Sequence, residues 1–193
     1  MSLLVKTAGK TKYIPLYIDN FDYAEQYLNF PYQTGGKPSK SLERKLQREK
    51  EKMDRILRSW SNPKNIETHF VWPVHGRIST EFGLRRYIND DYVGQHRGLD
   101  IAAPQNTAVK AVASGKVIEI GKYVLLGNAI VLDHGQGLIT VYGHLRKITV
   151  KNGQNVKQGQ VIGKVGRTGR ATGPHLHFGV RLNYTPVDPL LFL

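Results

Sequence analysis

The sequence predicts an all-β domain of small antiparallel sheets over residues 69–193, preceded by a helical linker and loop over 39–68 and a partial β segment over 1–38. The β domain is predicted from short apolar runs that lack helical periodicity and are separated by glycine-containing turns. The helix is predicted from apolar residues that recur at helical spacing. Gly-Gly-Lys-Pro at 35–38 and Ser-Asn-Pro-Lys-Asn at 61–65 break the chain between these parts.

The β-rich runs include "GKVIEIG", "GNAIVLDHG", "GLITVYGHL" and "HLHFGVRLN". Their Val and Ile residues favour strands, and the glycine-rich links favour tight turns. "DHGQG" lies between two runs and predicts a hairpin loop, so His134 is expected in that loop without a functional role. His69 and His75, on either side of the strand-like "FVWPV", are also given no functional role.

Residues 39–60 predict one amphipathic helix. Its apolar stripe comprises Leu42, Leu46, Met53, Ile56, Leu57 and Trp60. Ser39 or Ser41 can cap its start, and Glu51 and Arg55 have the spacing of a helical ion pair. We expect this helix to pack on the neighbouring β domain; a helix on a membrane surface or on nucleic acid is the alternative.

Residues 12–18 predict a strand that has no partner nearby in the sequence. The sequence opens abruptly, and we interpret 1–38 as the end of an accessory domain in a longer precursor. There is no recognisable signal peptide and no apolar run of about 18 residues that could form a transmembrane segment.

The chain is strongly basic, with 28 Lys and Arg against 15 Asp and Glu and a net charge of +13. Such a charge attracts an anionic partner: nucleic acid, anionic lipid or a polyanionic wall polymer. We recognise neither a basic recognition helix nor an aromatic platform, which argues against a nucleic-acid partner. The absence of cysteine excludes disulfides, thiolate zinc sites and a cysteine nucleophile.

The segment "GPHLHFGV" carries His175 and His177 at alternate positions of a predicted strand. Alternate residues point to the same face of a strand, about 7 Å apart. Zinc–nitrogen bonds are only about 2.0–2.1 Å long. One imidazole can therefore bind a metal while its neighbour handles protons beside it.

The segment "GQHRGLDIAAP" offers two further ligands, His96 and Asp100. In an extended strand they would lie about 13 Å apart, too far for one metal, so a bend at Arg97 and Gly98 is required. Together with one downstream histidine they make a set of two imidazoles and one carboxylate, which leaves a fourth position open as in catalytic zinc sites. His144, near the end of the strand "TVYGHL", can lie across a sheet from that pair or be an ordinary strand-end histidine.

In this order, "HRGLD", "YGHL" and "GPHLHFGV" resemble the motifs of the lysostaphin/LytM-type zinc metallopeptidases. The resemblance covers roughly residues 70–193. It implies a LytM-like β fold and a Zn²⁺ cofactor, with His96, Asp100 and His177 as the metal ligands.

The same resemblance implies that His144 and His175 are the catalytic histidines beside the metal. Three more residues stand in similar sequence contexts and are candidates for the substrate groove: Asn128, Arg85 and Tyr142. Some latent relatives block the zinc with a residue from a preceding segment, and we identify no such residue in 1–68.

For function, the resemblance implies an endopeptidase that hydrolyses peptide bonds in the cross-links or stems of bacterial peptidoglycan. An accessory segment of Gram-negative type favours a periplasmic location in the cell envelope and a D-Ala–meso-diaminopimelate cross-link. Some relatives lose zinc ligands, so the alternative is a non-catalytic module that binds murein or activates other hydrolases. The sequence predicts no particular oligomeric state.

A carrier domain is a further alternative, because "VKNGQNVKQGQVIGKVG" resembles the paired β-turns of lipoyl and biotinyl carriers. Those carriers expose a lysine in a motif such as Asp-Lys-Ala or Met-Lys-Met. Neither tripeptide occurs in this chain, so we interpret the likeness as architectural.

Overall fold

The computed structural model describes residues 2–7, 10–15, 22–28, 39–63, 66–89 and 91–193. Within these residues the chain is mostly β-strand with one α-helix, α1 (Lys40–Ile56), and a short 3-10 helix (Pro189–Leu191), which confirms the predicted fold class. The strands are β1 (Ser2–Thr7), β2 (Lys10–Pro15), β3 (Glu25–Leu28), β4 (Arg77–Thr80), β5 (Arg85–Ile88), β6 (Asp91–Gln95), β7 (Leu99–Ala102), β8 (Ala108–Lys110), β9 (Gly115–Tyr123), β10 (Gly127–Gly135), β11 (Leu138–Leu145), β12 (Lys147–Ile148), β13 (Asn155–Val156), β14 (Val161–Lys164), β15 (His175–Leu182) and β16 (Thr185–Val187).

The largest sheet has the strand order β13-β9-β10-β11-β15-β7-β4, and β16 also pairs with β15. All of these pairs are antiparallel. One face of the sheet packs into the main core, where Leu99, Ile101, Tyr142 and Phe178 are fully buried. The adjacency of β7 and β15 brings the segment around residue 100 beside the segment around residue 177.

A two-residue turn joins β10 to β11. Its residues Gln136 and Gly137 have φ angles of 48° and 77°. Positive φ at both positions is typical of the type I′ turn, whose twist matches that of an antiparallel hairpin. The hairpin predicted at "DHGQG" is confirmed.

His134, however, does not lie in the hairpin loop. It belongs to β10 and is buried, because strand pairing continues as far as Gly135. Its Nδ1–H donates to the carbonyl oxygen of Ser114 at 2.8 Å, and its Nε2 lies 2.7 Å from Oγ1 of Thr140. The predicted loop position was therefore wrong, and His134 is part of a buried polar network.

Two smaller sheets have the orders β12-β14-β8 and β3-β5-β6, and β1 pairs with β2 as a hairpin. β3 runs parallel to β5, so the segment around residue 26 lies beside Arg85 and Arg86. The strand predicted at 12–18 corresponds in part to β2, and its pairing with β1 corrects the expectation that it has no nearby partner. Residues 16–18 and the predicted break at 35–38 lie outside the described residues.

α1 begins as predicted, because Oγ of Ser39 accepts a hydrogen bond from the backbone N–H of Leu42 at 3.2 Å. Its C-terminal end packs on the main sheet, as its apolar stripe predicted. The contact forms a second apolar cluster, separate from the main core. Its buried residues are Leu57, Val131, Ile139 and Val141. Trp60, also predicted on the stripe, lies beyond the end of the helix and is exposed.

Polar contacts fix α1 in place on the sheet. They join Lys52 to Glu119 at 2.6 Å, Glu49 to the backbone N–H of Val124 at 2.8 Å, and Asp54 to the hydroxyl of Tyr184 at 3.1 Å. The predicted ion pair of Glu51 with Arg55 is not formed, because Oε1 of Glu51 accepts from Gln47 at 2.8 Å. None of the helices in the described parts of the chain combines the length and apolar character needed to cross a bilayer.

Candidate metal centre and active site

Three side chains bring one potential ligand atom each to a common point. Nε2 of His96 lies 3.0 Å from Oδ1 of Asp100 and 3.2 Å from Nδ1 of His177. Nδ1 of His177 lies 2.8 Å from the same oxygen of Asp100. The structure thus brings together the three residues that the sequence offered as metal ligands.

The backbone explains this convergence. Asp100 and His177 are direct partners across β7 and β15, so their side chains leave the sheet side by side. His96 lies in the connection from β6 to β7, which bends at Gly98 as predicted. A Cβ atom at Gly98 would lie 2.6 Å from Cε1 of His177 and 2.7 Å from the carbonyl oxygen of Phe178, so this close approach requires glycine.

The donor set fits zinc. In a tetrahedral site with bonds of about 2.0–2.1 Å, two ligand atoms lie about 3.3 Å apart, and the three separations here are 2.8, 3.0 and 3.2 Å. Nδ1–H of His96 donates to the carbonyl oxygen of Glu81 at 2.7 Å. In the neutral ring, Nε2 of His96 therefore carries a lone pair directed at a carboxylate oxygen, an arrangement that a cation between them makes favourable.

The protonation states also suit a metal site. Burial by itself would raise the pKa of Asp100, but a hydrogen bond from His177 and the closely packed ring of His96 hold that pKa well below its ordinary value. Burial lowers the pKa of His177, although its hydrogen bond to Asp100 acts in the opposite direction. An ionised carboxylate and a neutral imidazole are the forms that bind metals.

Arg86, which the sequence reasoning missed, holds the second oxygen of Asp100. Its Nη2 donates to Oδ2 of Asp100 at 2.8 Å, and its Nε donates to Oε1 of Gln26 on β3 at 2.9 Å. Adjacent residues of a strand face opposite sides, so only one of the two consecutive arginines of β5 can reach the site. The structure brings Arg86 there and leaves Arg85, the residue named from the sequence, exposed.

His144 and His175 lie beside the three converging side chains. Their ring centroids are 4.5 Å apart, and the ring of His144 is 6.1 Å from that of His177. Each ring donates Nδ1–H to a backbone carbonyl, His144 to Thr168 at 2.8 Å and His175 to Gly173 at 2.9 Å. In the neutral form of each ring, Nε2 therefore carries the lone pair.

The backbone and burial of His144 are unusual for a strand-end residue. Its φ angle is 60°, in the left-handed region that is uncommon for residues other than glycine. Burial lowers the pKa of His144 to about 4. His144 is therefore a neutral base near pH 7. Its position at a strand end did not distinguish it from an ordinary histidine; only the resemblance of "YGHL" to the family motif did.

Two of the three predicted groove residues have structural contacts instead. Tyr142 is fully buried, and its hydroxyl accepts from the backbone N–H of Val112 at 3.1 Å, so it cannot line a groove. Asn128 donates from Nδ2 to the carbonyl oxygen of Leu145 at 2.9 Å. That hydrogen bond joins the start of β10 to the end of β11.

A groove of about 310 Å³ leads to the three converging side chains. Met53 and Leu57 of α1 form an apolar part of its wall, and Arg97 and Arg181 form a basic part. Burial, assisted by the charge of Arg97, lowers the pKa of Arg181. A second cavity of about 200 Å³ contacts His144 and His175 from the side of Gln26.

Comparison with known proteins identifies the family to which this chain belongs. The family model for peptidase family M23 matches residues 94–189. A solved structure of a Pseudomonas aeruginosa protein assigned to peptidase M23 is 37% identical, with 99% of this chain and 83% of that chain covered and a TM-score of 0.69. The chain belongs to peptidase family M23. The predicted resemblance to the lysostaphin/LytM-type peptidases is thereby confirmed.

Two further relatives come from Vibrio cholerae. A solved zinc-containing peptidase is 40% identical, with 65% of this chain and 39% of that chain covered and a TM-score of 0.59. Peptidoglycan DD-endopeptidase ShyB is 40% identical over 151 residues, which are 78% of this M23 chain. The chain spans only 31% of the length of ShyB.

Proposed function

We propose that this M23 chain is a zinc-dependent endopeptidase that hydrolyses peptide bonds in bacterial peptidoglycan, with the D-Ala–meso-diaminopimelate cross-link as its substrate. The observation that carries the proposal is the triangle of Nε2 of His96, Oδ1 of Asp100 and Nδ1 of His177, with sides of 2.8–3.2 Å, at the end of an open groove. Its relative ShyB is named a peptidoglycan DD-endopeptidase, which supports the substrate class.

His96, Asp100 and His177 would hold the zinc ion. When bound there, zinc would activate water at neutral pH and polarise the carbonyl oxygen of the scissile peptide. Arg86 fixes Oδ2 of Asp100, so the carboxylate keeps Oδ1 directed at the two imidazoles. Such outer hydrogen bonds orient metal ligands and maintain their geometry.

His144 and His175 would move the protons of the reaction. With Nδ1–H held by a backbone carbonyl, Nε2 of either ring can accept a proton from the attacking water. The water oxygen bonds to the carbonyl carbon, the carbon–nitrogen bond breaks, and the protonated ring returns its proton to the leaving amine. General acid–base groups of this kind contribute about 10²–10⁴-fold to a rate.

The charge of the chain is consistent with a wall polymer as its partner. A net charge of +13 draws the protein towards an anionic matrix. We propose that the chain acts in the cell envelope, in the periplasm. The resemblance to peptidases that act on peptidoglycan carries this part of the proposal, and the charge supports it.

The test is digestion of purified cross-linked sacculi with the zinc-loaded chain, followed by mass analysis of the released muropeptides. We expect cleaved D-Ala–meso-diaminopimelate cross-links from the wild type and from His69→Ala, which alters an exposed histidine outside the site. We expect no products from His177→Ala. A zinc-loaded wild type that binds sacculi but releases nothing would overturn the proposal in favour of a non-catalytic module.

A further inference from the structure

The floor of the groove runs along one strand from the metal centre to an arginine. His177, Gly179 and Arg181 alternate on β15, so they share one face, while the intervening Phe178 and Val180 are buried in the core. Two residues of a strand span about 7 Å, so Arg181 lies about 13 Å along β15 from His177. Gly179 lies between them on this face, and a Cβ atom there would lie 3.3 Å from the carbonyl oxygen of Arg97, so the backbone of Arg97 passes close to this strand.

Arg181 has no partner in the part of the chain that the structure describes, although it is half-buried: neither a hydrogen bond nor an ion pair engages its guanidinium. Arg97, which is exposed and lines the same groove, likewise makes neither a hydrogen bond nor an ion pair through its guanidinium within the described residues. A desolvated guanidinium without an anion is unfavourable, and burial lowers the pKa of Arg181 accordingly.

The acidic side chains nearby make their hydrogen bonds elsewhere, although the charge of Asp54 acts on Arg181 and opposes part of the effect of its burial. Asp54 accepts from the hydroxyl of Tyr184 at 3.1 Å, and Glu49 accepts from the backbone N–H of Val124 at 2.8 Å. Both hydrogen bonds attach α1 to the β domain. Neither arginine forms an ion pair within the described residues, and both line the groove, where a ligand anion can pair with them.

We propose that Arg97 and Arg181 form a subsite for a free carboxylate of the substrate peptide, about three or four extended residues from the scissile bond. This inference rests on the proposed function. The planar fork of a guanidinium matches a carboxylate with two parallel hydrogen bonds. Met53 and Leu57, which line the same groove, suit the aliphatic part of a peptide and not a nucleic-acid backbone.

The probe is a pair of cross-linked muropeptide dimers, one with free carboxylates and one with the same carboxylates amidated. Their dissociation constants are measured with zinc-loaded His144→Ala, and kcat/KM with the chain that retains His144. We expect the free carboxylates to bind about tenfold more tightly than the amides, since a charged hydrogen-bonded pair is lost on amidation. Arg181→Gln removes this preference, mainly through KM, and Arg181→Lys restores part of it.

Arg48→Gln is the matched control, because Arg48 is an exposed arginine of α1 that does not line the groove. It keeps the full preference. Arg97→Gln, an exposed position, lowers the preference and provides a second variant if Arg181→Gln fails to fold.

The two proposals fail in different ways. Equal dissociation constants of the two dimers with zinc-loaded His144→Ala, or an unchanged preference in both arginine variants, overturn the carboxylate subsite even if cleavage by the wild type is normal. A clear binding preference without any cleavage supports the subsite and overturns the endopeptidase proposal.

Discussion

Oδ1 of Asp100 lies 2.8 Å from Nδ1 of His177 because the two residues are direct partners across β7 and β15. Sheet register, and not a flexible loop, therefore sets the distance between these two candidate ligand atoms. The third ligand atom, on His96, depends on the bend at Gly98.

Gly98→Ala should damage the metal centre without removing any ligand. The added methyl group would lie 2.6 Å from Cε1 of His177, so that ring must move. We expect zinc affinity, measured by competition with a chelating dye, to fall about tenfold or more, and the free energy of unfolding to fall by about 1–3 kcal/mol. Gly173→Ala is the control, since a methyl group there meets nothing within 4 Å; equal zinc affinity of the two variants would contradict the prediction.

Substitution of Arg86 should lower the rate of hydrolysis much more than substitution of the neighbouring Arg85. Arg86→Ala frees Oδ2 of Asp100, and we expect hydrolysis of sacculi to fall about 10–100-fold. Arg85→Ala removes an exposed side chain and should leave the rate within twofold of the wild type, roughly the scatter of surface substitutions. Rates of dye-labelled sacculus release measure both, and a larger loss for Arg85→Ala would show that the wrong arginine is assigned to the site.

His144→Ala should separate chemistry from metal binding. The ring supplies a neutral Nε2 but is not one of the three converging ligands, so the variant should keep one zinc per chain by atomic absorption. Its rate of cross-link cleavage should fall about 10²–10⁴-fold. Loss of zinc from this variant would instead make His144 a ligand, and retained cleavage would remove it from the catalytic pair.

His134 should make stability depend on pH. Burial lowers its pKa in the folded state, so between that lowered value and the ordinary value of about 6.5 the unfolded chain binds the extra proton. Stability is then present above about pH 6.5 and is lost as the pH falls, with a slope of up to about 1.4 kcal/mol per pH unit. Urea unfolding at several pH values should show a shallower slope for His134→Gln than for the wild type.

His69→Gln provides the control for that experiment, because His69 is exposed. Its slope should match the wild type. A slope for His134→Gln that is equal to or steeper than the wild-type slope would contradict a neutral buried imidazole at this position.

The convergence of His96, Asp100 and His177 could be predicted from the sequence because the signals are local. A glycine between His96 and Asp100 predicts the bend, and alternation within "HLH" predicts a shared face. Side-chain directions that depend on strand register were harder to predict from the sequence. Whether Arg85 or Arg86 faces the site is decided by the pairing of β5 with β3 and β6. The extent of this pairing cannot be read from two adjacent arginines.

Burial caused the remaining errors. Tyr142 stands two residues before His144 in a motif with functional character, yet alternation along β11 directs it into the core. His134 follows the apolar run "AIVLD" directly, and that run was a signal that the strand continues through it. The unpaired state of Arg181 depends on side-chain packing across β15 and α1, for which no sequence pattern exists.

The pairing of β7 with β15 also bears on how the protein is made. His96 and Asp100 leave the ribosome 81 and 77 residues before His177 does. Until β15 has been synthesised and has docked beside β7, a nascent chain offers only two of the three donors. If the proposed zinc site is correct, capture of the cation, and with it the proposed cleavage of the wall, must wait until translation has passed β15.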